Sequence, residues 1–396
     1  MSSRTAPSGV RFGSSGAHAP TARTNAITGK NRTRGPYTTD VARESLFGPG
    51  MSCMHRCEGV VRKGRLYYGD NLQILRDFVR DESVDLVYLD PPFNSNRLYS
   101  VTRRDGPEAP AFDDAWTWNM DAKAACDRLA GGASPDKLAT LMASLHAFLG
   151  PSNMLAYLAM MAERLVELRR VLKPTGSIFL HCDATASHYL KITLDALFGQ
   201  ACFKNEVIWR YRRWPTKSRR FQRMHDVLLY YSARPDNAHT FHTLYGYEQL
   251  AASTLKTFGT KKQRADFSSG HRKPGVDDED TAGPPMSDVW DVGIIAPISK
   301  ERTGYPTQKP LALLERVILA CSNEGDVVLD PFCGCGTTIE AAHTFRRRWI
   351  GIDVARVAIE MIEGRLAKRG VLRDVHYTVT GEVQPRCRSL KAPSWR

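Results

Sequence analysis

The sequence predicts an α/β fold, a doubly wound and mostly parallel sheet that carries a long polar insertion. Two stretches predict it. Residues 84–94 read VDLVYLDPPFN, and residues 327–338 read VVLDPFCGCGTT. Each begins as a short apolar run rich in β-branched residues, the pattern of a strand buried on both faces of a parallel sheet. Each then stops on an acid followed by proline, Asp90-Pro91-Pro92 in one case and Asp330-Pro331 in the other. Proline has no N–H for the ladder and holds φ at about −65°. A carboxylate is thereby left at the C-terminal tip of each strand, the edge where open α/β sheets bind ligands.

Taken in order, residues 1–58 are rich in Ser, Thr, Gly and Arg, and the first acid is Asp40. Such a segment suits an organellar transit peptide, a disordered tail that adds affinity for phosphates, or sequence upstream of a start at Met51 or Met54. A disordered basic segment without an essential role is the expectation. Order should begin near Val60. Leu66-Tyr67-Tyr68 reads as a strand ending at Gly69-Asp70-Asn71, and a helix follows to about Arg80 with Leu72, Leu75 and Phe78 on one face. Asp70 suits its N-cap. Residues 94–151 read as a long irregular region, in which Trp116 and Trp118 suit either a lid or ordinary packing. Leu155–Leu172 is an amphipathic helix, ended by Lys173-Pro174-Thr175-Gly176. Ser177–Leu180 is the next buried strand, leading to His181 and Asp183, which suit pocket lining or structural roles alike.

Strands are expected at 205–209 and 226–232, with the run RYRRWPTKSRRFQR (210–223) between them. Cations neutralise phosphates while flat rings stack on bases, so Tyr211, Trp214 and Phe221 among arginines suit a nucleic-acid groove; a solvated charged face is the alternative. Residues 233–285 are polar, irregular and again basic, with Lys256, Lys261, Lys262, Arg264, Arg272 and Lys273. Leu311–Cys321 reads as a helix, the glycine-rich turn opens another at about Thr338, and the strand Trp349–Ile352 ends on Asp353. The remainder is a basic tail.

A chain of 396 residues with 42% hydrophobic content holds a sizeable core, and its net charge of +13 favours a polyanionic partner, nucleic acid before membrane. No apolar run approaches the length of a bilayer span. The 9 cysteines are irregularly spaced, which suits reduced thiols in a cytoplasmic protein better than a disulfide framework. Neither Cys53/Cys57 nor Cys333/Cys335 has a matching ligand pair elsewhere, so no metal site is expected. The dinucleotide fingerprint wants a third glycine where Ile339 stands, and no Gly-Lys-Ser/Thr of a P-loop occurs.

Asp90-Pro91-Pro92-Phe93 and Asp330-Pro331-Phe332-Cys333-Gly334-Cys335-Gly336-Thr337-Thr338, in this order, resemble the catalytic motif and the S-adenosylmethionine loop of the N4/N6 amino-methyltransferases of DNA. The resemblance runs from about Leu66 to Leu366. It implies a Rossmann-like methyltransferase domain of the permuted beta group, with strands 84–90 and 326–330 adjacent at the switch point. It divides the chain into a catalytic half at 59–232, a target-recognition insertion at 233–300, a cofactor half at 301–368 and a basic tail at 369–396. Asp90, Pro91, Pro92 and Phe93 become the catalytic residues. Asp70, Lys309 (in Thr303–Pro310, which resembles another cofactor motif), Asp330, Phe332, Gly334, Gly336, Thr337, Thr338 and Asp353 become cofactor-binding residues. S-adenosylmethionine is the implied cofactor and double-stranded DNA the implied partner; a separate restriction subunit and a homodimer are the protein partners considered. Adenine N6 is the implied target and cytosine N4 its rival, with a non-catalytic DNA-binding homologue as the alternative of another class. Carbon-5 methylation is not expected, since it typically uses a Pro-Cys pair that the chain lacks.

Overall fold

The computed structural model describes residues 64–101, 109–132, 134–217, 219–266 and 273–381; the basic segment 1–58 lies outside them. The strands are β1 (Gly64–Tyr68), β2 (Val84–Leu89), β3 (Leu98–Val101), β4 (Ala109–Asp113), β5 (Leu172–Cys182), β6 (Phe203–Arg210) and β7 (His225–Ser232). They continue as β8 (Lys261–Asp266), β9 (Lys273–Asp280), β10 (Val289–Asp291), β11 (Val327–Asp330), β12 (Arg348–Asp353) and β13 (Tyr377–Thr380). The helices are α1 (Asn71–Phe78), α2 (Met120–Ala130), α3 (Asp136–Leu149), α4 (Asn153–Val171) and α5 (Ser187–Phe198). After them come α6 (Ala252–Phe258), α7 (Leu311–Cys321), α8 (Thr337–Thr344) and α9 (Arg356–Ala367).

Nine strands make one sheet in the order β10-β6-β7-β5-β2-β11-β12-β1-β13. All neighbours are parallel except β7, which runs antiparallel to both β5 and β6. Helices cover both faces. Val87 and Leu89 of β2 join the core formed with α1–α5, while Leu86 and Tyr88 join the core formed with α7–α9. A strand with core on both sides has no solvent face, which is why its sequence is apolar without alternation. β2 and β11 are neighbours, with Val87 opposite Leu329, as expected for the switch point.

Several elements depart from the sequence reading. The described residues of 94–151 are not irregular: they hold the antiparallel pair β3–β4 and the helices α2 and α3, the latter burying Leu138, Met142 and Leu145 at helical spacing. Trp116 and Trp118 pack against the core, Trp116 edge-on to Tyr157 at 5.8 Å. Lys173-Pro174-Thr175-Gly176 lies inside β5 instead of between helix and strand. Leu172 pairs with Val84 and Ser177 with Leu86, so these four residues bulge opposite Asp85, whose carboxylate takes the Lys173 ammonium at 2.7 Å. On α1 the buried stripe is Asn71, Ile74 and Leu75, and Phe78 is 48% exposed. The helix is turned by the polar pull on Asn71 described below. The insertion carries α6, a two-stranded β8–β9 hairpin and β10, which returns to the main sheet beside β6. β13, in the expected tail, forms the edge beyond β1.

Leu86 is fully buried in β2. Leu86→Ala should lower stability by about 2–5 kcal/mol through lost burial and the cavity left behind. Urea unfolding checks this, and the midpoint should fall with the slope unchanged.

Candidate active site

The C-terminal ends of β1, β12, β11, β2 and β5 share one edge of the sheet, and the acids singled out in the sequence gather there. Asp90 leaves β2 one residue beyond Leu89. One of its oxygens, Oδ2, is gripped by the ammonium of Lys309, a residue only 9% exposed that reaches in from the loop before α7. The same ammonium lies 5.2 Å from the centre of the Phe93 ring. The other oxygen, Oδ1, is buried and has no hydrogen-bond partner among the described residues. His181 Nδ1 lies 3.8 Å from it.

His181 closes the floor of this corner. It is fully buried at the end of β5, with the Tyr88 hydroxyl 2.9 Å from Nδ1, Asp226 Oδ2 3.4 Å from Nε2, and the Phe93 ring centre at 5.6 Å. The Tyr211 hydroxyl donates to Asp226 Oδ1 at 2.9 Å. Burial alone would raise the Asp226 carboxyl, yet hydrogen bonding and charge from His181, with help from Lys309 and Tyr211, hold it below its ordinary value. Tyr211, read in the sequence as part of the basic run, is therefore a buried post beneath the site.

The glycine-rich loop stands beside this corner. Gly334 and Gly336 have φ of +48° and +77°, and a Cβ on Gly336 would lie 2.7 Å from Ile362 Cγ1. Only glycine turns the chain this tightly against its neighbours. Asp353 braces the loop from β12: Oδ2 accepts the Gly334 N–H at 2.8 Å and Oδ1 the Ala355 N–H at 2.8 Å. Burial pushes its carboxyl up to about 6, against the pull of those backbone donors. Asp330 is more deeply buried and pushed up to about 7; its Oδ1 accepts the Phe332 N–H at 3.1 Å, and Thr338 also bonds to it. Phe332 is half-buried against the core. Thr337 and Thr338 are both buried, and the Arg365 guanidinium donates to the Thr337 hydroxyl at 3.2 Å and to the Cys335 carbonyl at 3.1 Å.

Asp70 is the N-cap of α1, with Oδ1 accepting from the N–H groups of Leu72 and Gln73. Its Oδ2 takes the buried Arg164 guanidinium at 2.8 Å. Arg164 also donates to Asn71 Oδ1 at 2.6 Å, and Asn71 donates in turn to the Pro331 carbonyl at 2.7 Å. This relay ties the tip of β1 to the turn after β11. Sequence reasoning missed Arg164, Arg365 and the pairing of Lys309 with Asp90, the last spanning 219 residues. Arg164 looks like any cation on an amphipathic helix until the fold turns it inward. No described group of His, Cys, Asp and Glu could hold a metal ion, and the described cysteines are free and buried.

Residues 84–364 match the family model described as DNA methylase, N6/N4 type. Among curated relatives, Type II methyltransferase M.HpaI of Haemophilus parainfluenzae is 28% identical over 76% of this chain and 74% of its own length. DNA adenine methyltransferase YhdJ of Escherichia coli K12 is 26% identical over 75% of this chain and 80% of its own. Among solved structures, the M1.HpyAVI–SAM complex overlays with a TM-score of 0.42 at 18% identity, covering 76% of this chain and 98% of that one. The cytosine-N4-specific PvuII DNA methyltransferase overlays with a TM-score of 0.41 at 13% identity, covering 74% and 82%. The match over 84–364 contains both Asp-Pro strand ends and the loop between β11 and α8, and the chain belongs to the N6/N4 family of S-adenosylmethionine-dependent DNA methyltransferases.

Proposed function

We propose that the chain methylates the exocyclic N6 amine of an adenine turned out of double-stranded DNA. The observation that carries this reading is the divided carboxylate of Asp90, one oxygen held by Lys309 and the other buried without a partner. A buried carboxylate oxygen with no donor is costly, and an incoming amine N–H relieves the cost. The Pro91 carbonyl, next along the chain, would take the second amine proton. Together these acceptors favour the tetrahedral amine, whose lone pair is no longer delocalised into the ring. Phe93 offers its ring to the base while His181 and Lys309 back it. S-adenosylmethionine, when bound, supplies an electrophilic methyl group. The braced turn at Gly334–Gly336 suits its backbone contacts, and Asp353 at the end of β12 suits a ribose diol. Holding the amine in line contributes most of the rate, and the base must first leave the helix.

The initial Asp of the motif and the adenine activity named for the Escherichia coli relative support adenine. Phe93, where tyrosine is commoner, weakens that lean, and cytosine N4 is the second reading. Mass spectrometry of nucleosides from treated DNA decides: N6-methyldeoxyadenosine supports the proposal, and N4-methyldeoxycytidine alone replaces it. This reading assigns methylation to the chain and leaves any DNA cleavage to a separate restriction subunit.

DNA contact is assigned to the run 210–223. β6 is parallel, by way of β7, to β5, so this loop rises from the same edge as Asp90. Trp214 is 90% and Phe221 99% exposed, and neither ring has a core to fill.

Asp90→Ala should leave cofactor affinity nearly unchanged and slow methylation by about a hundredfold or more, the loss of a charged hydrogen bond worth about 3 kcal/mol; single-turnover kinetics measure it. The raised Asp353 carboxyl sets a pH dependence. An acid whose folded value lies above its unfolded one, about 4, favours folding below that value, and its contribution is lost as pH rises through about 6. Ribose hydroxyls donate to the charged form, so cofactor affinity should strengthen as pH rises through the same window. Calorimetric titration from pH 5 to 8 should show that step, and Asp353→Asn should abolish it. Replacing Arg219, Arg220 and Arg223 by Ala should weaken binding to all DNA sequences and reduce the logarithmic salt slope by roughly 0.9 per lost phosphate contact. An unchanged slope in the folded variant would leave this loop a solvated face.

A further inference from the structure

Asp114, just after β4, is a buried acid outside the motifs. It is 2% exposed, and both of its oxygens face the backbone that follows Phe93. Oδ1 accepts the Asn94 N–H at 2.6 Å and Oδ2 the Ser95 N–H at 2.9 Å. The backbone adds two more bonds, Asn96 N–H to the Asp114 carbonyl at 3.0 Å and Asp114 N–H to the Arg97 carbonyl at 2.9 Å. Asn94 and Asn96 both have φ of +59°, so the chain leaves Phe93 through a tight left-handed turn. That turn places successive N–H groups on one side, a concavity that a carboxylate fills well.

The hairpin behind Asp114 is itself anchored. Val101 and Ala111 share a buried cluster with Tyr305, Cys335, Val357 and Ala358. Phe112 stacks between Tyr99, at 4.7 Å, and Tyr305, at 6.4 Å, and a Cβ on Gly334 would lie 3.1 Å from the Tyr305 ring. Asp114 is thus fixed by a hairpin resting on the wall of the glycine-rich loop. It reaches across to the segment that immediately follows Phe93.

We propose that Asp114 is a positioning residue for the reaction: by holding the N–H groups of Asn94 and Ser95, it keeps the Phe93 ring against His181 and Lys309 and so shapes the slot for the turned-out base. It touches neither base nor methyl donor. The proposal rests on the reading of Phe93 as the base-stacking ring. A merely structural acid would loosen the whole hairpin, including its contact with the Gly334 wall, whereas the carboxylate of Asp114 bonds to Asn94 and Ser95, next to Phe93.

The test is Asp114→Asn in the full chain, an isosteric change that sets an amide N–H₂ or a weaker acceptor against the backbone donors. Turnover should fall about 10- to 100-fold, since small misplacement at a reacting centre has effects of that size. Affinity for S-adenosylmethionine by calorimetry should stay within about twofold of wild type. Phe93→Ala and the double variant complete a cycle, in which Asp114→Asn should cost little once the Phe93 ring is gone. Wild-type turnover in the folded variant would overturn the proposal, as would a parallel loss of cofactor affinity or an undiminished loss without Phe93. If Asp114→Asn does not fold, Asp114→Ser, which keeps one oxygen acceptor, replaces it; failure of both to fold would make the residue structural and end the proposal. Wild-type methylation in the same assay keeps a failure of the proposed function distinct from a failure of this one.

Discussion

β2 and β11 hydrogen-bond in parallel with Val87 opposite Leu329, and proline stops each of them within a residue or two of the same level. Neighbouring strands sit about 4.8 Å apart, so two motifs separated by more than two hundred residues of chain are set side by side by main-chain geometry alone. Everything else on that edge is arranged around this junction. β12 adds Asp353 on one side, with Gly69 N–H bonding to its carbonyl at 3.0 Å, and β5 adds His181 on the other. Because the strands between are buried on both faces, the junction has little freedom to slip. A one-residue change of register would exchange Leu86 and Tyr88 for Val87 and Leu89 between the two cores.

Gathering several acids on one edge is electrostatically costly, and each is compensated in its own way. Asp90 has a lysine, Asp70 an arginine, and Asp330 and Asp353 have backbone donors that only partly offset burial. The division follows chemistry. Backbone donors brace the loop, and burial still holds the Asp353 carboxyl above its ordinary value. Lys309 holds one oxygen of Asp90, and the second is buried with no hydrogen-bond partner among the described residues. The half-satisfied carboxylate is a local cost that the fold tolerates because the surrounding packing is fixed.

What the sequence made legible tracks where physics is local. Strand burial shows in apolar runs, strand ends in proline, and tight turns in glycine, so the buried strands and the acids at their ends could be read directly, while the adjacency of β2 and β11 was implied by the family resemblance. Relations between distant side chains could not be read. Nothing around Lys309 signals Asp90, and nothing around Arg164 signals Asp70. The misread elements have the same origin. Lys173-Pro174-Thr175-Gly176 carries the usual marks of a helix end, and only pairing with β2 turns it into a bulge. Phe78 matched the apolar period of α1, but Asn71 is drawn inward by Arg164 and Pro331, and a polar anchor of that strength outweighs one aromatic ring on a short helix.

The antiparallel strand β7 ties the corner at Asp90 to the exposed basic loop 210–223. Because it returns directly from β6, the connection between them must lie at the sheet edge where β5 ends, and not on the opposite edge where a helical crossover would have carried it. The first residue of that loop, Tyr211, is buried and bonded to Asp226, and Asp226 faces His181 beneath Asp90. Three residues further on, Trp214 stands in solvent. Arg213 spans the transition, its guanidinium 4.9 Å from the Tyr211 ring centre and 3.2 Å from the Tyr211 hydroxyl. The two ends of the loop are tied together, Tyr211 N–H donating to the Met224 carbonyl at 2.9 Å, while Trp214 and Phe221 between them are exposed, an arrangement that suits a rigid mount for exposed groups. The same hydrogen bonds that root it also form the floor of the corner beneath Asp90.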